Sequence, residues 1–233
     1  MEKSFDFGGQ RYIDLFTTAS GQKIGITETV VNTWIIMAVL IVIALVIRHK
    51  MKNFKDVPES KLQNILELIV DMFGNFVVST MGPAGKKFAM FYGPFIIYIA
   101  VCNLSGLVGL RPPTADFATT LSFALITFFM IHGFGIKRKG PGYFKFLLEP
   151  VPFLLPINLI GEVATPISLS FRLFGNILGG SIIMGLVYGM FPWIVTFLGI
   201  PAVLHCYFDI FAGVLQAFIF IMLSMTFVSS AME

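Results

Sequence analysis

Arg172 is the only Asp, Glu, Lys or Arg between Glu162 and Asp209, and the residues around it are as apolar as a membrane span. A run of that kind has few folds open to it. Hydrocarbon offers no partner for backbone N–H and C=O groups, so the chain must satisfy them internally, as a helix does. The arginine is then costly. A charge at the bilayer centre is worth about 2.5–3.5 kcal/mol against insertion, and a guanidinium cannot escape by losing its proton. Its charge is permanent, must be paired or watered, and marks a candidate functional site.

The composition extends that reading to the whole chain. Hydrophobic residues make up 56% and charged residues only 12%, against about 25% charged in a soluble domain. The expected fold class is an all-α polytopic membrane protein in one membrane domain. The net charge of +3 comes from basic clusters near span ends, so nucleic acid is not an expected partner. Cys102 and Cys206 both sit in apolar runs and read as small buried hydrophobes. Neither a disulfide nor a metal site is expected, and no cofactor. The first 28 residues mix charged and polar side chains without the apolar core of a signal peptide. Residues 1–29 are expected to form an external segment, with the first span as its own anchor.

That first span is residues 30–47, about 18 residues, enough for a hydrocarbon core of about 30 Å. It ends in Arg48, His49, Lys50, Lys52 and Lys55. Lys and Arg concentrate on the cytoplasmic side, so the N-terminus is expected outside. Residues 60–81 place apolar side chains near a 3.6 spacing, with Glu67 and Asp71 on another face. They read as an amphipathic helix at the cytoplasmic surface. Residues 88–110 and 119–136 form the second and third spans. A turn-rich external loop containing Asp116 joins them, and Lys137, Arg138 and Lys139 follow the third. A Pro-rich stretch with Pro141, Pro150, Pro152 and Pro156 follows and is expected to be irregular or a short interfacial helix.

Two helices remain, residues 158–190 and 201–231. At 1.5 Å per residue each is roughly 45–50 Å long, too long for a perpendicular crossing. They are expected to be tilted or curved and to form a helical hairpin within the membrane, its turn outside at Phe191-Pro192 and Gly199-Ile200-Pro201. The C-terminus is then cytoplasmic. In total about five membrane helices are expected beside the amphipathic interfacial one.

At 100° per residue, Glu162, Thr165, Ser168, Arg172, Asn176, Gly179 and Gly180 share one broad face of the first hairpin helix. His205, Asp209, Gly213 and Gln216 align on the second. Asn176 or Gln216 alone is accounted for by hydrogen bonding between helices, and His205 alone by an ordinary interfacial histidine. Arg172 is not accounted for by packing. Glu162 precedes it by ten residues, roughly 15 Å toward the cytoplasm. His205 and Asp209 lie nearer the external turn. Titratable groups at membrane depth mark ion routes. A fixed cation between two half-routes blocks direct passage of another cation and holds a mobile carboxylate deprotonated. Gly179 and Gly180, beside the arginine, offer a smooth surface past which another subunit could slide. Gly82-Pro83-Ala84-Gly85-Lys86-Lys87 lacks the spacing of a nucleotide-binding P-loop, and no zinc-protease or nucleophile-elbow pattern occurs.

The motif Ser168-Leu169-Ser170-Phe171-Arg172-Leu173-Phe174-Gly175-Asn176, following Pro166, resembles the signature of subunit a of the F-type ATP synthase membrane sector. Leu215-Gln216-Ala217-Phe218-Ile219-Phe220 resembles the second signature of that family. Pro113-Thr114-Ala115-Asp116 with Thr119-Thr120-Leu121-Ser122 resembles its loop entering the third span. The resemblance covers nearly the whole chain. It implies a non-catalytic stator subunit in a bacterial inner (plasma) membrane. It implies two partners, a rotating ring of hairpin c-type subunits and peripheral-stalk b-type subunits. H+ or Na+ is carried through two offset half-channels to and from the ring carboxylates. By motif matching Arg172 faces the ring carboxylate, with Asn176 and Gln216 as polar neighbours. The external half-channel then draws on Asp209 with His205, Ser181 and Asp116, and Glu162 lies on the cytoplasmic side. Some bacterial members carry Glu at the position of Ser181 and His at that of Asp209, so the external acid is expected to have moved to the second helix. The competing expectation is a secondary transporter whose midplane arginine binds an anionic substrate. It calls for internal repeats, and none is seen.

Overall fold

The computed structural model describes residues 11–17, 23–52, 54, 60–148, 151–190 and 199–233. These residues are all-helical apart from one antiparallel hairpin, β1 (Arg11–Thr17) paired with β2 (Lys23–Thr27), which the sequence reading did not anticipate. Residues 1–10, Lys55, Pro150, Phe191 and Pro192 fall outside the described residues, and with them the expected turn of the C-terminal hairpin.

Among the described residues, six helices are long and apolar enough to cross a membrane. Helix α1 (Glu28–Met51) ends in Arg48, His49 and Lys50, where cations suit the negative end of the helix dipole. Helix α2 (Lys61–Met81) begins at Ser60, whose hydroxyl accepts the Gln63 N–H at 3.1 Å, a standard N-cap. It is the least apolar of the six. Leu62, Ile65, Leu68, Val70 and Met72 remain exposed, whereas Val77 and Met81 near its end are buried. The helix read as interfacial from sequence is thus also long enough to be a span.

Helices α3 (Ala89–Leu104) and α4 (Phe117–Lys139) follow. Asp116 caps α4 by accepting the Ala118 N–H at 3.1 Å. The connection between them is held to α1, where the Asn32 amide donates to the Arg111 carbonyl at 3.0 Å. Helix α5 (Leu155–Met190) belongs to a helical stretch of 38 residues, Pro152–Gly189, and α6 (Ile200–Met232) has 33. Both exceed what a perpendicular crossing of about 30 Å uses. These two overlong helices follow one another at the C-terminal end, as the sequence predicts.

The core lies where α3, α4, α5 and α6 meet. Tyr92, Ile99, Leu173, Phe220, Ile221 and Met225 are fully buried there. Aromatic rings cross edge to face, as in Phe95 with Phe123 and Phe95 with Phe220. Five polar side chains in the core, Tyr92, Thr120, Thr127, Ser170 and Ser224, pair with one another. Thr127 and Tyr92 both reach the Ser224 hydroxyl, at 2.9 and 3.3 Å, and Thr120 meets Ser170 at 3.0 Å. In lipid, where apolar burial adds little between helices, such bonds and close packing hold the bundle together.

Candidate functional site

Arg172 sits on the outward face of α5. It is exposed, and among the described residues it has no hydrogen-bond or ion-pair partner. Apart from Thr165 and Ser168, which share a cavity with it, the surface beside it is apolar or bare. Ile167 and Phe171 are exposed, and a Cβ added at Gly175 or Gly179 would meet nothing within 4 Å. Helix α6 shows an apolar exposed surface of its own, with Ile210, Phe211, Val214, Leu215 and Phe218. Gly180 belongs to neither surface. Its Cβ would lie 3.3 Å from that of Phe208, so this glycine serves the packing of α5 on α6, and the smooth outer surface consists of Gly175 and Gly179.

The α6 side is shaped by an irregularity that the sequence reading missed. Residues Cys206–Ala212 form π-helix inside an otherwise α-helical rod. Such wider turns cluster at functional sites, and here the segment carries Asp209. Two asparagine amides hold its C-terminal end: Asn176 donates to the Ala212 carbonyl at 3.4 Å and Asn103 to the Gly213 carbonyl at 2.7 Å. Gly213 is needed for this approach, since a Cβ there would lie 3.3 Å from the Asn103 Cβ. Gln216, one turn on, is buried with no hydrogen-bond partner for its amide nitrogen among the described residues.

His205 and Asp209 come together as expected. The imidazole Nδ1 lies 2.5 Å from the Asp209 carboxylate, and Nε2 lies 3.0 Å from the Tyr188 hydroxyl. Asp209 faces the end of α3, where its Oδ2 would be 3.9 Å from a Cβ at Gly106. Ser181 and Asp116 have other partners. The Ser181 hydroxyl bonds the Ile177 carbonyl one turn back, and Asp116 is the α4 cap. Among the described residues neither is bonded to the His205–Asp209 pair.

Glu162 is far from this cluster and has a counterpart of its own. Its carboxylate lies 3.7 Å from His132 Nε2 on α4, and His132 Nδ1 lies 3.1 Å from the Tyr143 hydroxyl. Burial, reinforced by the Glu162 charge, pushes the Tyr143 phenol above its ordinary pKa. Pro166, one turn after Glu162, has no N–H to give, so the Glu162 carbonyl lacks its usual helical donor. A cavity of about 300 Å³ lies against Tyr143, Glu162, Thr165 and Ser230. A second of about 220 Å³ runs along Thr165, Ser168 and Arg172, and the two share Thr165 and Phe227. Tyr143, His132 and Tyr188 were not found from sequence. His132 and Tyr188 are isolated polar residues among apolar ones, Tyr143 lies in a Gly- and Lys-rich stretch, and only the fold brings His132 to Glu162 and Tyr188 to His205.

The family model described as ATP synthase A chain matches residues 30–229. The chain belongs to this family. It is 36% identical over 223 residues to the sodium ion specific ATP synthase subunit a of Propionigenium modestum, covering 88% of this chain and 74% of the relative. It is 36% identical over 228 residues to the ATP synthase subunit a of Desulfosudis oleivorans, covering 95% and 96%. For that of Moorella thermoacetica the identity is 34% over 209 residues, covering 89% and 91%. The ATP synthase A chain family supplies the ion-translocating stator subunit of the complex, a non-catalytic multi-pass membrane protein of bacteria, and this chain has that role. The secondary-transporter expectation is thereby set aside.

Proposed function

We propose that Arg172 is the electrostatic gate of the stator, facing the carboxylates of a rotating ring of hairpin c-type subunits. The observation that carries this reading is an arginine exposed on an apolar membrane-facing surface without a partner from the described residues. A cation so placed is tolerable in the membrane only when water or an anion outside the subunit meets it. A ring carboxylate passing Gly175 and Gly179 is such an anion. The arginine's positive charge favours its ionised form, and the same charge bars an ion from crossing directly between the two half-channels.

Ions then enter from the external side by way of Asp209 and His205, with Ser181 and Asp116 nearer the mouth, and leave past Glu162 on the cytoplasmic side. Asn176 and Gln216 line the passage near the gate. The N-terminus and the Asp116 loop face outward; the basic residues 48–55, Lys137–Lys139 and Glu233 face the cytoplasm of a bacterial inner membrane, following the distribution of Lys and Arg. Peripheral-stalk b-type subunits hold the stator against the ring's torque. The carried ion is H+ or Na+.

Cysteine cross-linking in the assembled complex tests the central contact. Ser168→Cys and Gly175→Cys, on the Arg172 face, should cross-link to cysteines flanking the ring carboxylate, whereas Leu169→Cys, buried in the core, should not. Failure of both exposed positions, across a scan of ring positions, would contradict the arrangement.

A further inference from the structure

The carboxylate on the cytoplasmic side does not stand alone, and the site around it is built. Tyr143 is 5% exposed. Its ring lies across α4 at Gly135, where any Cβ would come within 2.2 Å of it, so only glycine leaves the slot open. Lying there, the phenol reaches His132 Nδ1 at 3.1 Å. Phe128 packs edge-on against the imidazole with ring centroids 4.2 Å apart, which fixes its plane. The other ring nitrogen is buried, has no hydrogen-bond partner among the described residues, and lies 3.7 Å from the Glu162 carboxylate. That gap is too long for a hydrogen bond and short enough to close by a side-chain rotation. The cavity beside it shares Thr165 and Phe227 with a second cavity that reaches Arg172.

We propose that His132 is the proton-relaying residue of the cytoplasmic half-channel, paired with Glu162 and positioned by Tyr143. This rests on the half-channel reading above. With Nδ1–H donating to the Tyr143 phenol oxygen, Nε2 keeps its lone pair and faces the carboxyl group of Glu162. A proton leaving the ring reaches Glu162 through the Thr165 passage. The Glu162 O–H bond then breaks as an Nε2–H bond forms, giving an imidazolium and a carboxylate; the ring turns and its Nε2–H bond breaks as the proton passes to water at the cytoplasmic mouth, which restores the neutral Nδ1–H ring. Imidazole suits the step because it alternates between donor and acceptor near neutral pH. Among the described residues, the charged and titratable groups around it are Glu162 from α5, Tyr143 from the segment after α4, and Lys139 of α4 on the same cavity, and α6 contributes the Ser230 hydroxyl. Lys139 favours proton departure by repelling the imidazolium.

Inside-out vesicles holding the assembled complex test this, since the bath is then the cytoplasmic side. ATP-driven proton uptake is measured against bath pH, with and without added Na+. His132→Gln keeps a polar side chain but cannot relay a proton. It should lower uptake on the order of 10²-fold, the low end for a positioned acid–base group, and flatten the dependence on bath pH. Tyr143→Phe keeps the ring in the Gly135 slot and should move uptake the same way by less. Normal uptake with an unchanged pH profile in both variants overturns the proposal, as does wild-type uptake of Na+ in place of protons. If His132→Gln fails to assemble, Tyr143→Phe decides alone, and an unchanged profile there overturns it. Arg172→Lys in the same vesicles separates the two readings. Normal pumping by that variant removes the half-channel account itself, whereas its loss beside a normal His132→Gln removes only the relay.

Discussion

His205 and Asp209, one turn apart at the start of the π-helical segment of α6, share a hydrogen bond of 2.5 Å between Nδ1 and Oδ2. A carboxylate bonded this way is oriented, and its proton has a defined neighbour. Asp209→Asn keeps size and hydrogen bonding but removes the acid. We expect ion-driven turnover to fall by about 10²–10⁴-fold, the range of a positioned acid or base, with assembly intact. Pumping in vesicles reads this out, and unchanged pumping would place the external route elsewhere.

Asn103 ties α3 to the end of the same π segment through the Gly213 carbonyl. Asn103→Leu removes that bond and should destabilise the subunit by about 0.5–1.5 kcal/mol, the net worth of a hydrogen bond. Because the segment carries Asp209, turnover should fall together with the thermal stability of the purified complex. A stability loss without any turnover loss would show that the α3 tie does not position Asp209.

Gly180 lets α5 approach Phe208 of α6. Gly180→Val puts three carbons into a contact that leaves 3.3 Å for one, and overpacking of this kind costs about 1–3 kcal/mol. Reduced yield of assembled complex is the expected result. Gly179→Ala, with open space around the added methyl, should assemble normally and interfere only with rotation past the ring. Equal assembly of both variants would remove the distinction between the two glycines.

The topology is open to accessibility labelling. Cysteines placed singly at Asp116 and at Arg138 should react from opposite sides of the membrane, the first from outside and the second from the cytoplasm. Labelling of both from one side would refute the orientation.

How far the sequence reached depended on the kind of signal. Helices α1, α3, α4, α5 and α6 were legible because lipid permits little except helix to an apolar run, and Arg172 because nothing hides a charge in such a run. The His205–Asp209 pair was legible as an i, i+4 spacing. The π segment was not, since it depends on Asn176 and Asn103 reaching it from other helices. The Tyr143–His132–Glu162 group was not either, since its members come from three different segments and meet only through the slot at Gly135. Asp116 was read as a channel residue, and the fold uses its carboxylate as the α4 cap.

ATP synthesis driven by an imposed ion gradient in vesicles carrying Arg172→Lys or Arg172→Ala tests the central claim most directly. Lysine keeps the charge but is a compact, strongly hydrated ammonium without the planar fork that meets a carboxylate, and it loses its proton more readily when desolvated. Alanine also removes the barrier between the half-channels. The account predicts that both variants assemble and that neither sustains synthesis, with a passive ion leak through the alanine variant. Near-normal synthesis by either variant would contradict it, because Arg172 would then not be the gate.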